Sequence, residues 1–395
     1  MVSAAFPSGP SDPDGHVLVA PDRFKGSLSA PEVARRLATG LRRVRPGVPV
    51  VEFPLADGGD GTAAAAIAAG WRRVEVKVAG PTGQPVTATL AMRGRTAVVE
   101  LAEASGLRQL PGGRPRPLSA TSLGAGQMLA HALRMGARRI VLGLGDSACT
   151  DGGAGLVQGL GGRLLDAAGK ELPPGGAALR SLHTLDLRGM PNLSRVEVIV
   201  ATDADSPLLG RGGAAMAHGP RKGAGRAEIR VLDAGLRRWA DLVEAACRRS
   251  VRDLPGAGAA GGVGFAALAF LGARIRPGSA YLLELLGFAD KARKARLAIT
   301  GEGMLDVRTL RGKPPIGAAR AASRAGAPVI AVVGQRGLTG EQLRRARIQA
   351  VYALTDIEPD VERCMRQAGP LLEQLTVAIA DEWLPERRAG SAGRP

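Results

Sequence analysis

Short apolar runs alternate along this chain with stretches whose apolar residues recur at helical spacing. HVLVAP (16–21) reads as a first buried strand. Ser29, Pro31 and Glu32 then form a capping box with proline in the first turn, predicting a helix that runs to about Val44 and stops at Pro46-Gly47. VPVVEFPL (48–55) predicts a second strand, and DGGDGT (57–62) a glycine-rich bend opening the helix AAAAIAAG. Strand, loop and helix twice over predict a parallel sheet covered by helices.

The texture changes near residue 72. WRRVEVKVAGP and QPVTATLAMRGRTAVVEL alternate with period two, as strands with one wet face do. Further on, RRIVLGLG (138–145) and SRVEVIVATDA (194–204) read as buried strands. SLGAGQMLAHALRMGA (122–137) and DAGLRRWADLVEAACRRS (233–250) read as helices, and PGAGAAGGVGFAALAFLG (255–272) as a glycine-rich turn running into an apolar helix. RLAITGEG (296–303) restores the strand-to-turn pattern of the start. It is followed by helix 314–326, strand 327–334, helix 339–350, strand 350–354 and a closing helix over 374–384. Both ends thus share one pattern and the middle another. The reading is an α/β protein: a doubly wound domain from residues 16–80 plus 286–385, with a second α/β domain of residues 81–285 inserted. A cleft is expected between them. Residues 1–15 and 386–395, rich in Pro, Gly, Ser and charge, read as disordered tails.

Composition narrows the classes. Three cysteines exclude a disulfide scaffold, and no CxxC spacing suggests a metal. The opening residues lack the basic start and apolar core of a signal peptide, and no stretch suits a membrane span, so the cytoplasm is expected. The net charge of +17 invites a nucleic-acid reading. Against it, the lysines are only Lys25, Lys77, Lys170, Lys222, Lys291, Lys294 and Lys313, and the rest of the 53 basic residues are arginines spread through helical segments. No stacking aromatics are interleaved with them. Nucleic acid is therefore not the expected partner. The field would still attract a small anion.

Several strands run directly into polar, glycine-rich turns, where open α/β sheets bind ligands. APDRFKGS (20–27) places Asp22, Arg23 and Lys25 before a helix, with Ser27 or backbone N–H groups as further anion donors. LADGGDGT (55–62) sets Asp57 and Asp60 around two glycines, as a hard cation or phosphoryl acceptor would need. GLGDSACTDGGAG (143–155) offers Ser147, Thr150, Asp151, Gly152 and Gly153, yet is neither GxGxxG nor a P-loop. TGEGMLDVRTLRGK (300–313) holds Glu302, Asp306, Arg308 and Lys313, and ATDADSPLLG (201–210) adds Asp203 and Asp205. Cys149 reads as a small hydrophobe, the histidines show no zinc spacing, and no GxSxG elbow is present. Carboxylates beside bare backbone, with a few cations, point to metal-assisted phosphoryl transfer.

These blocks, together with VAGPTGQPV, VELAEASGL, TSLGAGQML, GPRKGA and PGAGAAGGVG, make residues 17–385 resemble the glycerate kinase family of the bacterial glycerate 2-kinase type. The resemblance implies a flavodoxin-like domain built from both chain ends, an inserted second domain, and ATP-dependent phosphorylation of D-glycerate to 2-phosphoglycerate. It implies catalytic roles for Lys25, Asp57 and Asp151, and nucleotide contacts from Ser147, Thr150, Gly152, Gly153, Glu302 and Lys313. Asp22, Arg23, Asp60, Asp306 and Arg308 would serve the substrate, and Asp203 and Glu302 would hold Mg2+. Asp57 or Asp151 would orient the reacting hydroxyl. The chain departs from the family pattern at Asp146 (usually glycine), Met304 (usually arginine), Arg308 (usually glutamine) and Thr202 (usually cysteine). Competing readings are a kinase for another small hydroxy acid, and a nucleotide- or nucleic-acid-binding homologue with weakened turnover. Oligomeric state stays open.

Overall fold

The computed structural model describes residues 14–385, so the expected tails lie outside the described residues apart from Asp14 and Gly15. The chain divides into a terminal unit, up to Leu55 and from Leu283 onward, and a central unit, Ala56–Leu282.

In the terminal unit five parallel strands lie side by side in the order Ala350–Ala353, Val329–Val333, Ala295–Gly301, His16–Pro21, Val50–Glu52. Taken along the chain this is 2-1-3-4-5, the flavodoxin-like order. Val17–Val19, Leu297–Ile299 and Val329–Val333 are buried because helices cover both faces. On one face the Ala30–Val44 helix packs on the Ala368–Trp383 helix. A Cβ on Gly40 would lie 2.4 Å from Thr376 Oγ1, so this close crossing needs glycine. The Ser29–Glu32 capping box is present, Glu32 Oε2 accepting from the Ser29 amide at 2.8 Å. The switch point lies between the His16–Pro21 and Ala295–Gly301 strands, which come from before and after the central segment.

The central unit holds a six-stranded sheet in the order Arg274–Arg276, Glu197–Ala201, Arg139–Gly143, Thr96–Glu100, Pro85–Arg93, Arg72–Ala79. The first four strands are parallel, and the last two extend the sheet antiparallel. A second apolar cluster gathers around the Arg226–Cys247 helix, which buries Leu232, Leu236, Trp239 and Val243. Among the described residues no helix is long and apolar enough to cross a membrane.

The flavodoxin-like domain from both ends and the second α/β domain agree with the sequence reading, but the division falls elsewhere than at 80/81 and 285/286. Residues 56–80 group with the central unit because Arg72–Ala79 pairs with Pro85–Arg93 along its whole length, Arg72 opposite Met92 and Ala79 opposite Pro85. Helix Thr62–Ala68 packs on that sheet. Element ends also differ. The second strand is only Val50–Glu52, between Pro49 and Pro54. The helix expected over 339–350 is only Gly340–Arg345, with Arg347 at a φ of 66° soon after its end. The helices expected at 233 and 374 begin earlier, at Arg226 and Ala368.

Candidate active site

At the carboxyl end of the terminal sheet two loops leave neighbouring strands. Asp22 donates its amide to Gly301 O at 2.7 Å, and its Oδ1 accepts the Arg23 amide at 2.7 Å. A Cβ on Gly303 would stand 3.4 Å from the Lys25 nitrogen, so the 22–28 and 301–305 loops lie against each other. Lys25 is exposed, and no partner for its ammonium occurs among the described residues. Ser27 Oγ donates to Met365 O at 2.6 Å. Lys313, the cap of the Pro314–Arg324 helix, donates to Glu302 Oε2 at 3.0 Å. Glu302 Oε1 is buried with no partner among the described residues, as is Thr300 Oγ1. Asp306 and Arg308 form a turn of their own: Nε of Arg308 donates to Oδ2 at 2.8 Å, and the Arg308 amide to Oδ1 at 2.8 Å. Those bonds to Arg308 hold the Asp306 carboxyl below the usual range.

The carboxyl end of the central sheet gathers acids. Gly145 donates to Gly58 O at 3.1 Å, which lays the 57–61 loop over the end of the Arg139–Gly143 strand. Gly58 has φ +93°, and a Cβ there would be 2.1 Å from Ala201 O. Asp57 Oδ1 accepts the Gly59 amide at 2.8 Å, while Oδ2 has no partner among the described residues. Asp203 accepts from the Gly278 amide and Ser279 Oγ, both at 2.8 Å. A Cβ on Gly278 would come within 1.9 Å of Asp57 O, so Asp57 and Asp203 share one corner. Burial raises the Asp203 pKa, its two hydrogen bonds oppose the rise, and the Asp57 charge adds to it. Asp60 pairs with Arg108 at 2.7 Å. Asp146, at φ 49°, accepts the Asp60 amide at 3.3 Å, so this carboxylate braces the acidic loop.

The 147–155 segment behaves differently. Asp151 is fully buried and accepts from the amides of Ser122 (2.7 Å), Gly153 (3.1 Å) and Gly155 (3.3 Å), and from the hydroxyls of Thr121 and Ser122. A Cβ on Gly152 would meet Trp239 Cδ1 at 2.5 Å, and one on Gly153 would meet Ala266 Cβ at 2.5 Å. The glycine-rich 255–262 stretch packs on the same backbone, with the Gly152 amide donating to Gly261 O at 2.9 Å. These glycines are needed for close packing. Thr150 Oγ1 is buried without a partner among the described residues. Ser147 stands four residues past the strand, its Oγ accepting from Lys222 Nζ at 2.8 Å.

The family model described as the glycerate kinase family matches residues 17–384. A glycerate kinase of Halalkalibacterium halodurans is 41% identical, the match covering 93% of this chain and 98% of that protein. A glycerate 2-kinase of Escherichia coli K12 is 43% identical, over 80% of this chain and 84% of its own length. A crystal structure from Salmonella typhimurium LT2, named as a glycerate kinase 2, superposes with a TM-score of 0.77 at 39% identity, covering 93% of this chain and 99% of that one. This chain belongs to the glycerate kinase family. It is a kinase, an enzyme of the phosphotransferase class.

Two buried ionisable groups of this glycerate kinase family chain escape a reading of its motifs. Glu100 ends the Thr96–Glu100 strand fully buried and accepts the amides of Gly61 (3.2 Å) and Ala63 (3.0 Å). Burial pushes its pKa up to about 8, helped by the Glu103 charge and opposed by the Ala63 bond and Arg108. Lys222 lies in GPRKGA on the far side of a long segment from Ser147. Its sequence signals are its place in one of the resembling blocks and its being one of few lysines; nothing local shows that its ammonium turns inward.

Proposed function

We propose that the chain is a glycerate kinase that moves the γ-phosphoryl group of ATP to a hydroxyl of D-glycerate, giving 2-phosphoglycerate. The observation that carries the chemical reading is the state of Asp57: one carboxylate oxygen is fixed by the Gly59 amide and the other has no partner among the described residues, in a loop laid over the carboxyl ends of the parallel strands of the central sheet. A general base needs a positioned carboxylate with a free lone pair. Asp151, the other candidate, has both oxygens occupied inside the unit. In the proposed step the glycerate oxygen bonds to the γ-phosphorus and the bond from phosphorus to the β,γ-bridging oxygen breaks. The hydroxyl proton passes to Asp57 Oδ2, and ADP leaves with the bridging oxygen.

Lys25, whose ammonium has no partner among the described residues, and Lys313 would offset phosphate or carboxylate charge, with Arg23 close to Lys25 in sequence. Ser147 would donate to an anionic oxygen. Asp60, Asp306 and Arg308 support their loops through the bonds described above, and Asp22 anchors its own. Among the described residues no group of three or more His, Cys, Asp or Glu could hold a metal. Mg2+ arriving with a nucleotide asks for only one or two carboxylates. Asp203 fits that need: it lies in the corner it shares with Asp57, and a cation held there would relieve the repulsion between the two carboxylates. Glu302, with its buried partnerless Oε1, fits as an acceptor. When bound, Mg2+ would neutralise phosphate charge. Cytoplasmic residence belongs to the same proposal.

The test is ADP release with ATP and Mg2+, with and without D-glycerate, and NMR of the product to place the phosphate. Glycerate-dependent release with phosphate on C2 is expected. Release unaffected by glycerate sinks the substrate; phosphate on C3 sinks the product. Asp57→Asn should lower kcat by about 10²–10⁴-fold.

A further inference from the structure

Lys222 sits on the short Pro220–Lys222 turn of the central unit and is only 7% exposed. Its ammonium donates to Ser147 Oγ at 2.8 Å and to the Cys149 carbonyl. Among the described residues it forms no ion pair. Burial lowers its pKa and the Asp151 charge opposes that, but the Asp151 carboxylate is itself saturated by other donors. A buried cation without a counter-ion is costly, and a ligand anion would offset the cost.

Ser147 reports where such an anion would sit. An ammonium has no lone pair, so in this contact the serine oxygen must accept. The hydroxyl proton of Ser147 therefore points away from Lys222, and it has no acceptor among the described residues although Ser147 is only 4% exposed. A hydroxyl that accepts from a cation is a stronger donor on its other side. The segment leaves the carboxyl end of a parallel strand, where ligands of such sheets bind.

We propose that Lys222 is a positioning residue: it fixes Ser147 as a donor to an anionic ligand oxygen and supplies the charge that makes that donor strong. This rests on the kinase reading and adds the residue behind the donor. The oxygen belongs either to a nucleotide phosphate or to the carboxylate of the acceptor acid.

Calorimetric binding of ADP and, separately, of D-glycerate to the full chain tests it, for wild type, Ser147→Ala, Lys222→Met and the double variant. In one of the two arms each single change should weaken binding about tenfold. The double variant should be no weaker than the worse single one, because both remove the same donor. Ser147→Thr, which keeps the hydroxyl, should recover most of the affinity. Binding unchanged by Ser147→Ala in both arms, or additive losses, would overturn the proposal. A purely structural Lys222 would lower Tm while Ser147→Ala binds as wild type. If Lys222→Met does not fold, Ser147→Ala against Ser147→Thr still decides. Intact ADP binding without glycerate-dependent turnover would remove the proposed function and leave this test to stand on the binding cycle.

Discussion

Glu100 presses its carboxyl group into the first turn of the Thr62–Ala68 helix, out of reach of water. Its pKa lies near 8 in the fold against 4.5 when unperturbed. The folded state therefore keeps a proton that the unfolded state has lost, and stability falls as pH rises from about 4.5 through about 8. Glu100→Gln should flatten that slope; thermal melts at pH 5, 7 and 9 would show it, and parallel curves for the two proteins would refute it. Gly58 makes the opposite demand, on shape. Gly58→Ala would force a Cβ onto Ala201 O at a left-handed φ and displace Asp57. Its expected cost is about 1–3 kcal/mol of backbone strain, with kcat falling more than Tm suggests. Circular dichroism melts beside steady-state rates check both. DGGD advertises acids on a tight turn, but which carboxylate oxygen stays open depends on the neighbours that the fold brings.

Helix starts were well marked where capping is local. Ser29 and Glu32 are three residues apart and close their box without help from elsewhere. Asp151 shows the other case, because it joins two helix starts: the Ser122 amide before Leu123–Arg134, and the Gly153 and Gly155 amides around the start of Ala154–Gly159. Ser122 and Asp151 are far apart in the chain, so the motif CTDGG reads as a ligand loop when taken alone. Asp151→Ala should leave buried amides and hydroxyls unsatisfied and cost about 3 kcal/mol or more, in line with a lost buried network. Denaturant melts would show a large loss in the midpoint. A well-folded variant that had lost only turnover would instead restore Asp151 to the chemistry.

For the whole molecule, the 2-1-3-4-5 strand order puts Asp22 and Glu302 just past the two strands that flank the switch point of the terminal sheet. Lys25, exposed there and without a partner for its ammonium among the described residues, contributes nothing visible to packing. Lys25→Met should therefore leave the unfolding free energy within about 0.5 kcal/mol of wild type, as surface changes usually do, while raising the KM for ATP or glycerate. Unchanged kinetics would remove it from the site. The arginine excess fits solvated helix faces at several points: Arg36 and Arg43 pair with Glu373, Arg345 with Glu341 and Arg366 with Glu362. Exposed pairs such as Arg345–Glu341 and Arg366–Glu362 add little stability.

The α/β class, the strands, most helix starts and the loops that carry acids and cations were readable from periodicity, capping residues and glycine-rich strand ends. These signals are local, so a few neighbouring residues suffice to encode them. Tertiary structure alone decided that Arg72–Ala79 belongs with the central sheet, since alternation marks a strand without naming its partner. It likewise decided that Asp151 is saturated while Asp57 keeps an open oxygen, and that Lys222 turns inward onto Ser147. Hydrogen-bond partners and burial depend on residues brought together from distant parts of the chain, and no local pattern specifies them.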